Sequence, residues 1–302
     1  MQTFDFSRLW FVTFADSRLK CHLNRIKREA IRFGLKPSNI HAYDETCLDN
    51  DFREEFKDHL IFGSRGFGYW CWKPQVILQT FRDMPEGDIL LYTDVGCTLN
   101  YKGAARFFDY VAIAREQNIL GFQSKFIDFK TGKCVMHALP EREWTKGDIL
   151  DFFNVRHRPD ITETGQIGAT IILAKKCSST YDFFAKFKSI FLTHFNLCDD
   201  SPSISPNMPG FKENRHDQSI FSILYKIAGY TSLMSSEYTC PWVKFDKNHA
   251  GHVALGKDFF ANSKLRPFYS TRKKDIGWKR LIPLSLKPKY WKKVNWMKSK
   301  FF

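Results

Sequence analysis

Apolar and polar positions alternate along this chain in blocks that change period. Residues 8–14, RLWFVTF, form a short apolar run and predict a buried strand. Behind it, Leu19, Leu23, Ile26, Ala30 and Phe33 recur at helical spacing and predict an amphipathic helix over 18–33. Gly34 and Pro37 give its stop signal. A strand over Asn39–Tyr43 follows, then a polar helix over 49–60 and the glycine-rich aromatic stretch "GSRGFGYWCWKP". A helix from Pro74 to Arg82 leads into "GDILLYTDVG", where Ile89–Thr93 predict a strand that ends on Asp94. Further on, Ala169–Ala174 predict another buried strand. Ile220, Phe221, Ile223, Leu224 and Ile227 mark the apolar face of a helix opened by Asn214 or Asp217. Strand–helix alternation with short links implies an α/β layer around a largely parallel sheet.

Composition narrows the function classes. The chain has 302 residues, and 43% are hydrophobic, enough for a sizeable core. No apolar run approaches a membrane span, and the first residues lack a signal pattern, so a cytoplasmic protein is expected. Eight cysteines stand singly with no C-x-x-C pair, which fits a reducing compartment and argues against a zinc ribbon. The formal charge of +14 is segregated. From Lys264 to Phe302 there are 13 Lys and Arg against one acid, whereas residues 1–263 carry 33 basic and 31 acidic residues. The expected organisation is a near-neutral domain over 1–263 with a basic aromatic extension over 264–302.

In open α/β sheets, ligands bind beyond the C-terminal ends of the strands. Asp16, Asp44 and Asp94 end three predicted strands and make a polar rim suited to a nucleotide. Neither G-x-G-x-x-G after the first strand nor a P-loop occurs, so a dinucleotide site and an NTPase are disfavoured.

The motifs "RGFGYWCWKPQVIL", "EGDILLYTDVGCTLN", "EREWTKGDIL" and "NRHDQSIFSILYK", in that order, resemble GT-A type glycosyltransferases that build bacterial and viral surface glycans such as lipopolysaccharide and capsule. The resemblance runs from about Leu9 to Leu255. It implies a GT-A-like, mostly parallel sheet flanked by helices. It also implies transfer of a sugar from a nucleotide-sugar donor to a hydroxyl of a glycan or lipid-linked glycan. In such enzymes the central strand ends in Asp-x-Asp, which holds a divalent cation and the donor ribose. Asp94 stands at the first acid, and Gly96 replaces the second. The resemblance therefore implies Mn²⁺ or Mg²⁺ at Asp94, assisting departure of the nucleoside diphosphate, with a borrowed ligand from His249 or His252.

Further roles follow from the same likeness. Asp16 and Asp44 are expected at the nucleoside end. Arg65 and Lys73 are expected on the diphosphate, and Tyr69, Trp70 and Trp72 either stack on the ligand or fill the core. Thr145, Lys146, Gln166, His216 and Gln218 are expected on the acceptor side. Asp217 is expected to act as general base if the reaction inverts, or to support an oxocarbenium-like state if it retains. Asp217 also reads as a helix cap alone.

The extension interleaves lysines with Tyr290, Trp291, Trp296, Phe301 and Phe302. That pattern fits an anionic membrane surface on the cytoplasmic face better than docking onto its own domain, and nucleic acid ranks last. Two other classes stay open, a sugar-nucleotidyltransferase and a non-catalytic peripheral membrane-binding protein. "FADSRLK" lacks the glycines that the first would want.

Overall fold

Strand β1, Leu9–Phe14, organises the sheet because alternate side chains serve two cores. Leu9 and Phe11 point into one apolar cluster, and Val12 and Phe14 into the other. That alternation is the period-two geometry of a strand covered on both faces. The computed structural model describes residues 6–127, 134–239 and 266–270.

The chain leaves β1 through a 3₁₀ turn, Lys20–His22, into α1, Leu23–Phe33. The regular helix thus starts later than its apolar spacing suggests. It stops at Gly34, whose φ of 113° is the left-handed conformation that ends helices. Strand β2, Ile40–Tyr43, returns parallel to β1. Helix α2 covers only Asn50–Glu55, shorter than expected. The irregular turn α3, Gly66–Tyr69, leads to α4, Trp72–Asp83, which begins two residues before Pro74. Strand β3, Ile89–Thr93, is buried at every position and pairs parallel with β1.

The second half supplies β4 (Cys97–Leu99), α5 (Ala104–Gln117), β5 (Ile119–Gln123) and the hairpin of β6 (Lys125–Ile127) with β7 (Cys134–His137). Three short helices follow: α6 (Glu141–Trp144), α7 (Gly147–Phe152) and α8 (Pro159–Thr162). Strand β8 (Ile167–Lys175) precedes α9 (Ser178–Thr193), α10 (Asp217–Ile227), β9 (Ser232–Met234) and β10 (Phe268–Ser270).

The main sheet has the order β2-β1-β3-β8-β5-β9. Three pairings are parallel, and the two made by β8 are antiparallel. This is the α/β sheet expected from the sequence: mixed, mostly parallel and flanked by helices. Helices α4, α9 and α10 contribute to the core on one face, and α1 and α5 to the core on the other. Arg266–Ser270, which the charge break at 264 would assign to the extension, pair with β4 through Phe268–Leu99 and Ser270–Cys97.

Gly165 marks the tightest crossing near the sheet's end. A Cβ there would stand 2.0 Å from the Ser124 carbonyl oxygen and 2.5 Å from that of Ala138. Both obstacles are backbone. Gly165→Ala is therefore expected to lower stability by about 1–3 kcal/mol, the scale of overpacking. Denaturant melts check this, and an unchanged midpoint would contradict the close approach.

Candidate active site

Two helix starts and one strand end meet at Asp94. Strand β3 delivers Asp94 just past Thr93. Helix α4 presents Lys73 in its first turn, and α10 opens with Asp217. The Lys73 ammonium donates to Asp217 Oδ2 and lies 3.7 Å from Asp94 Oδ1. Tyr92, on the same face of β3, donates its hydroxyl to Asp94 Oδ1 at 2.7 Å, and its ring lies 5.5 Å below the Lys73 ammonium. Arg25 fixes the turn from the opposite side, donating to the carbonyls of Val95 and Cys97. Gly96 occupies that turn and is half-buried. Lys73 and Asp217 are buried, whereas the Asp94 side chain is 36% exposed and is the member of the trio open to solvent.

The electrostatics of this trio follow from burial. Burial alone would strip the proton from Lys73, but Asp217 and Asp94 hold it on and raise its pKa above the ordinary value. Burial pushes the Asp217 carboxyl up to about 6, against the pull of Lys73. Burial and the Asp94 carboxylate together keep the Tyr92 phenol protonated.

Around this centre the remaining expected residues fall into distinct groups. Gln166 is fully buried, and its amide nitrogen, with two hydrogens to give, lies within hydrogen-bond reach of Glu141, the Trp144 carbonyl, Thr145 and Ser219. Gln218 donates to the Gln166 carbonyl oxygen at 2.7 Å. Thr145 donates to Glu141 at 2.5 Å, and Lys226 closes the network on the other Glu141 oxygen at 2.8 Å. Three residues expected on the acceptor side are thus brought together, but with their polar groups turned on one another. Lys146 is buried and donates to the Asn196 carbonyl and to Asp199.

Arg65 and His216 meet at Asp200. Arg65 donates to Asp200 Oδ1 at 2.9 Å, and the Tyr69 hydroxyl donates to Oδ2 at 2.9 Å. Asp16 pairs with Arg18 and accepts from the Leu19 N–H. Asp44 pairs with Lys20 at 2.6 Å and accepts from the Thr46 N–H and hydroxyl. Those donors hold the Asp44 carboxyl well below the usual carboxylate range. Trp72 stacks on Phe14 at 4.2 Å in the core, while Tyr69 and Trp70 are half-buried.

One expectation needs correction. Neither Asn214 nor Asp217 caps α10 through its side chain, because His216 is the N-cap residue and no side-chain cap bond forms. Asn214 instead donates to the Leu197 carbonyl, and Asp217 is committed to Lys73. Lys73 is turned inward onto Asp217. Sequence reasoning missed Tyr92, Arg25, Asp200 and the Glu141–Lys226 pair. None carries a local signal, since each matters only through a partner far away in the chain.

Asp94 can give a divalent cation one oxygen. Mn²⁺ and Mg²⁺ need several hard ligands. Among the described residues no group of three acids, histidines or cysteines stands together, and an ammonium lies 3.7 Å from Asp94. Those residues do not by themselves fit a metal site. His249 and His252 lie outside the described residues.

No family model matches the chain, and no curated protein matches its sequence. Among solved structures it is similar to mouse xyloside xylosyltransferase 1 in its apo form, at 7% identity and a TM-score of 0.43, over 87% of this chain and 97% of that one. It is similar to the WbbM bifunctional glycosyltransferase at 12% identity and a TM-score of 0.45, over 89% of this chain and 46% of that one. The galactosyltransferase LgtC, solved with donor and acceptor sugar analogs, matches at 12% identity and a TM-score of 0.41, over 76% and 74% of the two chains.

The Lys73–Asp217 pair makes two measurable predictions. Lys73→Met strands a buried carboxylate and should cost about 3–5 kcal/mol, whereas Lys73→Met combined with Asp217→Leu should recover most of it. Denaturant melts of the single and double variants decide this, and an additive double variant would refute the coupling. The second concerns pH. The folded pKa of Asp217 lies above its ordinary value of 3.8, so the folded protein binds more protons between that value and about 6. Its contribution to stability is therefore present below that window and lost as pH rises through it. Relative to Asp217→Asn, wild type should lose stability from about pH 4 to 6 and stay parallel above it. A constant difference across that range would contradict the burial argument.

Proposed function

We propose that this protein transfers a sugar from a nucleotide-sugar donor to a hydroxyl of a glycan acceptor. The observation that supports this best is the meeting of two helix starts, α4 and α10, over the exposed acid at the end of β3. Strands β2 and β3 lie on opposite sides of β1, so the crevice beyond β1 and β3 is a topological switch point, the usual ligand position in such sheets. Helix starts present N–H groups and positive potential, which suits a diphosphate. A partly exposed carboxylate beside them suits the donor's ribose hydroxyls.

In this reading Asp94 meets the donor. Asp16 and Asp44, at the ends of β1 and β2, lie toward the nucleoside. Above about pH 6, Asp217, fixed by Lys73, supplies negative charge beside the reacting sugar, where positive charge develops in an oxocarbenium-like transition state. A lipopolysaccharide-like or capsule-like acceptor belongs to the same proposal and rests on the motif resemblance, and attachment of 264–302 to an anionic membrane surface rests on the charge segregation of the sequence. Among the described residues no helix is long and apolar enough to cross a membrane.

The test is a panel of UDP-, GDP- and CMP-sugars read by thermal shift, because a ligand that binds only the folded state raises the melting temperature. At least one sugar nucleotide should shift it, with transfer to a soluble glycoside following. Asp94→Asn preserves size and a partner for Tyr92, and should cut transfer by about a hundredfold or more. The reading fails if no sugar nucleotide binds, or if Asp94→Asn transfers at the wild-type rate.

A further inference from the structure

His216 is built differently from its neighbours. It is 4% exposed and sits at φ 53°, ψ −124°, a backbone conformation outside the ordinary regions for a side-chain-bearing residue. Its Nδ1 lies 2.6 Å from the Cys198 carbonyl oxygen. A carbonyl only accepts, so Nδ1 carries the hydrogen. Burial lowers the pKa of the ring, which leaves the imidazole neutral near pH 7. In that tautomer Nε2 is a bare lone pair. It has no hydrogen-bond partner in the structure, and the nearest charged oxygen, Asp200 Oδ1, is 3.8 Å away, too far for a bond. Buried acceptors are normally satisfied, so an empty one asks for an explanation.

What lies over Nε2 points to the missing donor. The Tyr69 ring is 5.2 Å from the imidazole and the Trp70 ring 5.7 Å. Both are half-buried, like the aromatic faces that receive the C–H surface of a sugar. Asp200 bridges Arg65 and Tyr69 at the rim, and the Arg65 and Asp200 side chains are about half exposed. A surface ion pair of this kind contributes little and opens readily. Lys146, buried below, donates to neighbouring Asp199 and holds the turn that carries Asp200. The charged groups that face the ring are therefore Asp200, Arg65 and Lys146, and the next residue, Asp217, is already paired with Lys73.

We propose that His216 Nε2 receives the acceptor sugar's hydroxyl, behind a gate formed by Asp200, Arg65 and Tyr69, and takes its proton during transfer. This rests on the glycosyl-transfer reading above. The step balances as a direct displacement. The hydroxyl oxygen forms the new bond to the anomeric carbon, and the bond from that carbon to the nucleoside diphosphate breaks with its electron pair leaving on the phosphate oxygen. The hydroxyl proton passes to Nε2, and the Cys198 carbonyl holds the resulting imidazolium through Nδ1–H. The anomeric centre inverts.

Asparagine is the informative replacement, because its amide can keep the bond to the Cys198 carbonyl and it tolerates positive φ, but it has nothing at Nε2. His216→Asn should melt with wild type and bind the sugar nucleotide as well, yet transfer at least about a hundredfold more slowly, the scale of a lost general base. Long-range proton–nitrogen spectra of the wild-type protein should show His216 as the Nδ1–H tautomer at pH 7, with a signal that moves when methyl β-galactopyranoside is added. A charged or Nε2–H imidazole overturns the proposal whether or not the protein transfers sugars, as does wild-type transfer by His216→Asn. If the tautomer and the glycoside-induced shift hold while no sugar nucleotide binds, the hydroxyl site stands and the glycosyl-transfer reading fails.

Discussion

One buried ion pair, Lys73 with Asp217, joins parts of the chain 144 residues apart and sets where everything around it can stand. Two charged groups leave water only if each finds the other, and each is then held more strictly than packing alone would hold it. The pair locks the start of α4 to the start of α10. Because both helices lie on the same face of the sheet, it also fixes their height over Asp94. Neighbouring residues in α10 inherit that placement. His216 turns to Asp200 and the aromatic rim, and Gln218 reaches back to Gln166 and through it to Glu141. Three consecutive side chains thus serve three different clusters.

The division of labour among these clusters is a division by solvent. The Glu141 network is fully internal, and its donors and acceptors satisfy one another. It works as a frame, since changing any member leaves others unpaired. The Asp94 and His216 clusters each expose part of themselves, one through a carboxylate and the other through the half-exposed Arg65–Asp200 pair. Chemistry at such a site needs groups that are rigidly placed yet reachable. Here rigidity comes from the buried frame and reach from the few positions at its edge.

Much of the fold could be read from periodicity, and the site only in part. The runs at 8–14 and 89–93 became the parallel pair β1 and β3, because a continuous apolar strand has few other places to go. The apolar face of 220–227 became α10, and Asp94 came out at a strand end as expected. What escaped was pairing. The buried run ending at Ala174 reads the same whether its strand lies parallel or antiparallel, and β8 lies antiparallel to β3. Lys73 looked like a group for a ligand because it stands at a predicted helix start, and its buried partner lies 144 residues away. Asn214 and Asp217 looked like caps because local sequence favours that use, and tertiary partners claimed them first. Thr145, Lys146 and Gln166 have side-chain chemistry that serves a sugar or a frame equally well, and only their partners tell the two apart.

The position of β8 in the sheet bears on how the chain is made. Strand β8 lies between β3 and β5, yet its residues emerge from the ribosome long after β3. Until then the nascent chain can assemble β1, β2 and β3 but must leave one side of β3 open, a strand apolar at nearly every position. An open apolar edge invites pairing with another chain. That edge is covered only when residues 167–175 pair with β3, so the order of synthesis leaves it open through the whole stretch between β5 and β8.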